Sequence, residues 1–289
     1  MGCFSGRLPV LSLGRKAVLA WLGDYAPSMG AAIAFYTIFS IAPLLLIVIS
    51  VAGVAFGQEA VRDQLVTQLH DLLGDSGALA IRQLLVGAAD PNKRGPAAVV
   101  GTIALVIGAS SVFAELQSAL NRIWRTAPVP SRGVGIWSLV LARLLSFGMI
   151  LAIGFLLAVS LTLSTALHAL SNWWAPMLGS WSVTLELLNA AFGFGIVTLL
   201  FAFIYRVLPH ASIGWADVWF GALVTALLFE VGKDLISLYL GASSINTTFG
   251  AAGSFAVLLL WVYYSAQVFL LGAAFTWVYA HEVGTLRRR

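Results

Sequence analysis

The sequence predicts an all-α, polytopic membrane protein with six transmembrane helices, and this prediction rests on its composition and its long apolar runs. Of the 289 residues, 60% are hydrophobic and only 10% are charged, whereas a soluble domain carries about a quarter charged residues. A transmembrane helix needs roughly 20 apolar residues in succession. Runs close to or above that length lie at 29–56, 96–114, 138–170, 182–206, 215–240 and 251–280.

The first apolar run holds no charged side chain and has Pro43 near its middle. Proline lacks a backbone N–H, and its ring collides with the carbonyl group one turn earlier. We therefore expect the helix to open near Phe39 and Ser40. Ser40 and Pro43 are candidate residues of a path through the bundle, although the alternative that Pro43 merely bends the helix stays open.

The positions of the basic residues predict the topology. The basic residues that share one side are Arg7, Arg15, Lys16, Arg122, Arg125, Arg132, Arg206, Arg287, Arg288 and Arg289. In the first loop on the other side, four basic residues are accompanied by five acidic ones. Because cytoplasmic loops carry the excess of Lys and Arg, both termini are predicted to face the cytoplasm. The basic residues form no stripe of the kind that binds nucleic acid, so nucleic acid is not expected as a partner.

The chain is predicted to form a single integral membrane domain with four segments outside the spans. Residues 1–28 are expected to be a cytoplasmic tail and residues 281–289 a basic cytoplasmic tail. Residues 57–95 form an outer loop with two amphipathic helices, either a cap on the bundle or a gating lid. Residues 115–136 are expected to form a cytoplasmic amphipathic helix and elbow, ended by Pro128 and Pro130.

The fifth span is the richest in polar residues. Glu230, Lys233 and Asp234 are spaced three and four apart, which puts them on nearly one helical face. A charge at bilayer depth costs roughly 2.5 to 3.5 kcal/mol, so it requires a partner, a water-filled cavity or a place near the surface. The three residues therefore form either an internal ion pair at the outer interface or a polar patch on a cavity, where Lys233 could meet an anionic head group.

Other polar and small residues are expected to join helices. Gln267, deep in the sixth span, either bonds a neighbouring helix or lines a path, and Glu115 is expected to pair with Arg143. Glycines allow helices to approach closely in membranes. The glycines expected to do so are Gly101, Gly108, Gly193, Gly195, Gly250 and Gly253.

The sequence predicts no catalytic residue, metal or cofactor. Its four histidines are scattered over different segments and lack metal-ligand spacing. There is no glycine-rich phosphate loop and no nucleophile elbow in the sequence. An intrinsic ribonuclease is therefore not favoured.

Five segments, taken together, are specific enough to indicate a family. They are AAIAFYTIFSIAP, ALNRIW, YRVLPHASIGWADVWFGA, FEVGKDLISLYL and FGAAGSFAVLLLWVYYSAQVFLLGA. They resemble the YihY/BrkB-type bacterial inner-membrane proteins, formerly labelled ribonuclease BN. The resemblance covers nearly the whole chain and implies six spans with both termini in the cytoplasm, without supplying an activity.

The residues of this chain that match the family pattern come from all five segments. They are Tyr36, Ser40, Pro43, Asn121, Trp124, Arg206, Pro209, Glu230, Lys233, Gly250, Gly253, Trp261, Tyr263 and Gly272. The chain departs from the pattern at Ala274, where many relatives have an acidic residue.

Three functions remain open from the sequence. The first is transport or flipping of a lipid or another envelope amphiphile. The second is a non-catalytic membrane scaffold or assembly factor, and the third is a lipid-modifying enzyme, which lacks a visible nucleophile and base. Membrane lipids are the expected partners, including an anionic amphiphile as substrate, and the oligomeric state is left open. The candidate path residues are Ser40, Pro43, Glu230, Lys233, Asp234 and Gln267.

Overall fold

Every regular element in the described part of the chain is a helix. The computed structural model describes residues 10–63, 65–67, 78–79, 81–83, 111–126, 182–211, 213–242 and 251–288. The long helices are α1 (Val10–Gly23), α2 (Ala26–Phe56), α3 (described over 111–123), α4 (Ser182–Val207), α5 (Trp215–Ala242) and α6 (Ala251–Glu282), followed by a 3₁₀ turn at Thr285–Arg288. These ranges contain no β-strand, which confirms the all-α prediction for this part of the chain.

Three described segments have the length and composition of a membrane span. They are Ala190–Val207 in α4, Trp215–Ile236 in α5 and Phe255–Glu282 in α6, with mean hydropathies of 1.9, 1.4 and 1.8. A shorter apolar stretch, Ala26–Ile41, lies in α2. The predicted span 138–170 and all but the last four residues of 96–114 lie outside the described residues, so six spans remain a prediction.

Helix α6 is the centre of the described bundle. It packs against α1, α2 and α5, and α4 packs against α5 and also reaches α6 through Tyr205. The largest buried cluster joins Ile33 of α2, Leu120 of α3 and Ala222 of α5 to Leu270 of α6. Close van der Waals packing of these apolar side chains holds the helices together.

Helix α2 is continuous across Pro43, so the predicted opening near Phe39 and Ser40 does not interrupt the helix. The hydroxyl groups in the preceding turns bond back to their own helix: Thr37 Oγ1 donates to the carbonyl of Ile33 at 2.7 Å, and Ser40 Oγ to that of Thr37 at 3.1 Å. A proline removes only one hydrogen bond from a helix, and the packing of neighbouring helices keeps the rest of the ladder in place.

The amino-terminal segment contains a helix where the sequence predicts a tail. Helix α1 packs Leu13 and Ala17 against the last turns of α6, and α2 begins at Ala26, three residues earlier than predicted. The connection is a two-residue turn in which Tyr25 has a left-handed φ of 58°. Apolar residues at Leu13 and Ala17 therefore form a helix face that is buried within the chain itself.

Helix α3 ends at residue 123, before the prolines that were predicted to end it. Arg125 takes a left-handed φ of 50°, its N–H bonds the carbonyl of Arg122, and the N–H of Thr126 bonds that of Asn121. This pair of hydrogen bonds is a Schellman motif, in which glycine is the usual left-handed residue. The stop signal is therefore a backbone turn rather than a proline.

The start of the predicted outer loop packs onto the bundle. Gly57, with φ 86°, ends α2, and helical residues follow from 58. Val61 and Ile81 are buried against Leu45 of α2 and Leu258 of α6. This packing is what a cap would make, and gating by the loop stays a prediction.

One end of the bundle collects the basic residues, and we call it the basic end. It holds the turn at Tyr25, the end of α3 at Arg122, the end of α4 at Arg206, and the end of α6 at Glu282. Arg122 lies over the ring of Tyr25, Lys16 of α1 pairs with Glu282, and Arg206 lies over the ring of Trp215, the first residue of α5. The predicted grouping of basic residues therefore holds among the residues described, while the side of the membrane stays a prediction.

Candidate functional site

The predicted charged face of α5 forms an ion pair within the helix. Glu230 and Lys233 are bonded to each other, with 33% and 32% of their side chains exposed, and Asp234 is exposed. Lys233 follows Trp215 by 18 residues, or about 27 Å of helix. The guanidinium carbon of Arg206 lies 5.7 Å from the ring centre of Trp215, which places Trp215 at the basic end. The ion pair therefore lies toward the opposite end of the bundle, and its position relative to a membrane interface stays a prediction.

Ser40 and Gln267 lie elsewhere, each bonded within the bundle. Ser40 is 4% exposed and bonds its own helix. Gln267 Nε2 donates to the carbonyl of Pro27 at 3.3 Å, and its amide fills the space left by the missing side chain of Gly30. Its bond to a neighbouring helix is one of the two predicted roles. Among the described hydrogen bonds and ion pairs, none joins these residues to Glu230 or Lys233, and the side chain of Pro43 lies outside the described set.

Three helices meet at a buried hydroxyl group. Tyr205 of α4 is fully buried, and its hydroxyl donates to the carbonyl of Phe269 in α6 at 2.7 Å. The same oxygen lies 3.2 Å from Thr225 Oγ1 of α5, which itself bonds the carbonyl of Gly221. The hydroxyls of Tyr205 and Thr225 thus have protein partners in a region where an unpaired polar group is costly.

Helices α5 and α6 approach closely through paired glycines and threonines. A Cβ atom on Gly272 would overlap the side chains of Thr225 and Tyr205, and one on Gly221 would overlap Thr276. Gly221 of α5 lies beside Thr276 of α6, and Thr225, four residues later in α5, lies beside Gly272, four residues earlier in α6. This reciprocal pattern sets the register of the antiparallel pair, because small residues let membrane helices come together.

At the basic end, α3 is bonded to the chain segment that follows α4. The carbonyl oxygen of the Asn121 side chain accepts the backbone N–H of His210 at 2.8 Å, and Asn121 Nδ2 lies 3.0 Å from His210 Nδ1. Gln117 Nε2 donates to the carbonyl of Leu208 at 3.0 Å. The segments ALNRIW and YRVLPHASIGWADVWFGA, which are far apart in the sequence, therefore contact each other through Asn121 and His210.

A second contact fastens the chain after α6 to the first turn of α5. Asp217 is 2% exposed and accepts bonds from the backbone N–H of Thr285 at 3.1 Å and from its hydroxyl at 2.5 Å. Gly284 and Gly214 lie so close that a Cβ on either would press on this pair. The buried carboxylate is satisfied by these donors, as a buried charge must be.

Arginines stack on aromatic rings around the same end. The guanidinium carbon of Arg122 lies 5.3 Å from the ring centre of Tyr25, and that of Arg125 lies 4.3 Å from the ring of Trp277. Burial raises the pKa of Asp24, in the α1–α2 turn, and the charges of Arg125 and Arg122 oppose this rise. The aromatic and basic residues together resemble the belt that membrane proteins place at a lipid–water interface.

The remaining family-pattern residues are distributed through the core. Trp124 and Pro209 are buried, and Trp261 and Tyr263 are partly buried beside the cluster around Leu258. Gly253 is buried, Tyr36 is partly exposed, and Glu115 is partly buried. Gly250 and Arg143 lie outside the described residues, so the predicted pair of Glu115 with Arg143 is untested.

Sequence reasoning missed several of the best-connected polar residues. Tyr205, Thr225, Asp217 and His210 were not singled out, although three of them lie within a quoted segment. The rule applied to Glu230, that a polar residue inside an apolar run needs a partner, would have selected Tyr205, Thr225 and Asp217 as well. What the sequence could not supply was which helix holds each partner.

The chain is similar over most of its length to proteins known by sequence. The profile of a family described as "Virulence factor BrkB" matches residues 18–289. A UPF0761 membrane protein of Pseudomonas paraeruginosa is 27% identical over 252 residues, which cover 86% of this chain and 58% of that protein. One from Stenotrophomonas maltophilia is 28% identical over 282 residues, covering 93% and 61%. One from Actinobacillus pleuropneumoniae is 27% identical over 259 residues, covering 89% of each.

The chain thus spans about three-fifths of the length of the first two of these relatives. No solved structure matches it.

Proposed function

This chain belongs to the BrkB family of membrane proteins, and we propose that it acts as a non-catalytic membrane scaffold or assembly factor. The observation that carries the proposal is that the buried hydroxyl groups of the described spans bond to neighbouring helices or to their own backbone, whereas two buried atoms of α6, Trp261 Nε1 and Gln267 Oε1, have no hydrogen-bond partner among the described residues. In a scaffold such groups hold the bundle in one arrangement. We further propose, from the grouping of basic residues, that the basic end faces the cytoplasm of the inner membrane.

A path for an amphiphile would need polar groups that can exchange partners with a head group or with water. Tyr205 has partners on two other helices, and Gln267 bonds the first turn of α2. Thr198 and Thr276 bond carbonyls one turn back in their own helices. The three hydroxyl groups and Gln267 Nε2 are therefore committed to the protein, while Gln267 Oε1 is buried without a partner among the described residues. The bonded groups support the scaffold over a transport path among the described helices.

Lipid transport or flipping is a second candidate, and one observation favours it. The ion pair of Glu230 with Lys233 is about one-third exposed on α5, next to the exposed residues Val231, Asp234 and Leu235. A charged group on a lipid-facing helix can contact an anionic head group at the interface. Such a contact would supply the outer part of a path.

Lipid scrambling in liposomes separates the two candidates. The protein is reconstituted in vesicles of phosphatidylethanolamine and phosphatidylglycerol that contain fluorescent lipids, and dithionite reports the lipids that reach the outer leaflet. The scaffold proposal predicts the same rate as in protein-free vesicles, for the native chain and for Lys233→Ala.

The matched control is Arg287→Ala, which removes an exposed basic residue at the opposite end. Scrambling that the native protein accelerates, that Lys233→Ala reduces and that Arg287→Ala leaves unchanged would reject the scaffold and establish the second candidate.

A further inference from the structure

Helix α1 has an apolar face that the bundle already covers. Leu13 and Ala17 are 7% and 1% exposed, and they pack against Phe275 and Val278 of α6. Ala20 continues this face one turn later. The inner side of α1 is therefore accounted for by contacts within the chain.

The opposite face of α1 is also apolar and is exposed. Val18, Leu19 and Leu22 are 42%, 57% and 52% exposed, and Tyr25 in the turn that follows is 65% exposed. We call these four residues the outer face of α1. At 14 residues, or about 21 Å, α1 is too short to cross a bilayer. A helix that is apolar on both sides is normally covered on both sides.

The depth of α1 follows from its contacts with α6. Lys16 pairs with Glu282 at the end of the apolar stretch Phe255–Glu282, and Leu13 and Ala17 lie against its last turns. The outer face therefore lies beside the last turns of a membrane span, where acyl chains meet head groups. Leucine and tyrosine side chains with nearby basic residues are typical of this layer.

Basic residues border the outer face of α1. Arg15 is exposed and lies one turn before Val18 and Leu19 on the same side of the helix. Arg122 is exposed and lies over the ring of Tyr25. A surface with an apolar centre and arginines at its edge is complementary to a lipid that has acyl chains and a negatively charged head group.

We propose that the outer face of α1 binds acidic phospholipids of the adjoining leaflet. The acyl chains pack against Val18, Leu19 and Leu22, and the phosphate groups meet the guanidinium groups of Arg15 and Arg122. This inference depends on the chain being a membrane protein and not on whether it is a scaffold or a flippase.

Site-specific fluorescence tests the lipid contact. In a Cys3→Ser background, which removes the single cysteine, Leu19→Cys and Leu22→Cys are labelled with NBD in lipid nanodiscs, with Arg287→Cys as the control. For labels at 19 and 22 we expect blue-shifted emission, quenching by doxyl lipids and protection from iodide. For the label at 287 we expect quenching by iodide, no blue shift and no quenching by doxyl lipids. Labels at 19 and 22 that iodide quenches as strongly as the control overturn the proposal. Protection from both quenchers, together with crosslinking between Leu22→Cys chains, also overturns it in favour of a second copy.

The preference for acidic lipids is tested with the same label at Leu22→Cys. Doxyl-phosphatidylglycerol is expected to quench more strongly than doxyl-phosphatidylcholine at equal mole fraction. Arg15→Gln should lower this ratio toward about 1, while Arg15→Lys and the control Arg287→Gln preserve it. The proposed head-group contact is overturned if the native protein has a ratio of phosphatidylglycerol to phosphatidylcholine quenching of about 1. It is also overturned if Arg15→Gln leaves this quenching ratio unchanged.

Discussion

Arg125 and Tyr25 are the non-glycine residues with positive φ in the described part of the chain, and both take part in cation–π contacts. A left-handed backbone costs a residue with a Cβ atom roughly 1 to 2 kcal/mol. A cation–π contact at an exposed site contributes about 0.5 to 1 kcal/mol. The side chain of Arg125 therefore offsets part of the backbone cost at the position where glycine is usual.

Two substitutions at Arg125 separate these effects. Arg125→Gly loses the contact with Trp277 but relieves the backbone, so its free energy of unfolding should stay close to that of the native protein. Arg125→Ala loses the contact and keeps the cost, so it should be less stable than the glycine variant by about 1 kcal/mol. Denaturant titration in mild detergent measures both values, and equal stabilities would show that residue 125 is not left-handed.

The stability of the basic end should depend on pH through Asp24. Because burial raises its pKa above the ordinary value of 3.8, the folded protein favours the protonated form, and ionisation of Asp24 destabilises it. This loss of folding stability is absent at pH values below the ordinary pKa and is complete once the pH exceeds the raised pKa. Asp24→Asn should therefore have a higher melting temperature than the native protein at pH 7, and this difference should shrink as the pH approaches 4. A difference in melting temperature that is constant with pH would argue against this role.

At the scale of elements, the pair α5 and α6 depends on glycine at two facing positions. Gly272→Ala and Gly221→Ala would each place a methyl group on a threonine, and overpacking of this kind costs about 1 to 3 kcal/mol. Gly195→Ala is the matched control, since a Cβ there meets no atom of the described residues within 4 Å. Thermal unfolding in one detergent should show a lower melting temperature for Gly272→Ala and Gly221→Ala than for the native protein, and an unchanged one for Gly195→Ala. An equal decrease for Gly195→Ala would contradict the close approach of α5 and α6.

The sequence predicted which elements exist better than where they end. Helices α2, α4, α5 and α6 match predicted spans because long apolar runs determine them. Helix α1 was missed because Ser12, Gly14, Arg15 and Lys16 interrupt its apolar residues and leave no run long enough for a span. The end of α3 was placed too late because Arg125 occupies a turn position for which glycine is the usual signal. The close approaches expected at Gly193 and Gly195 are not found among the described residues, since helix faces cannot be assigned partners from one sequence.

At the scale of the whole molecule, the described helices form a bundle around α6 whose polar groups connect its parts. Tyr205, Thr225 and the carbonyl of Phe269 join three helices, while Asn121 and Asp217 fasten the segments at the basic end. The sequence identified the charged pair of α5 because charge is conspicuous in an apolar run. It did not identify these contacts, because each joins residues 20 or more positions apart.

The central claim is that the interior around Tyr205 and Thr225 is dry and committed to holding the helices together. Accessibility of a cysteine in place of Thr225 tests it, since cysteine is close to threonine in size. In a Cys3→Ser background, Asp234→Cys is the exposed control that should react with a small charged thiosulfonate reagent, and Leu227→Cys is the exposed apolar control that should not.

The measurement is the rate at which Thr225→Cys is modified in intact proteoliposomes. A packed interior predicts no modification on the timescale in which Asp234→Cys reacts fully. Modification of Thr225→Cys at a rate comparable to that of Asp234→Cys would show water at the centre of the bundle and would contradict the account.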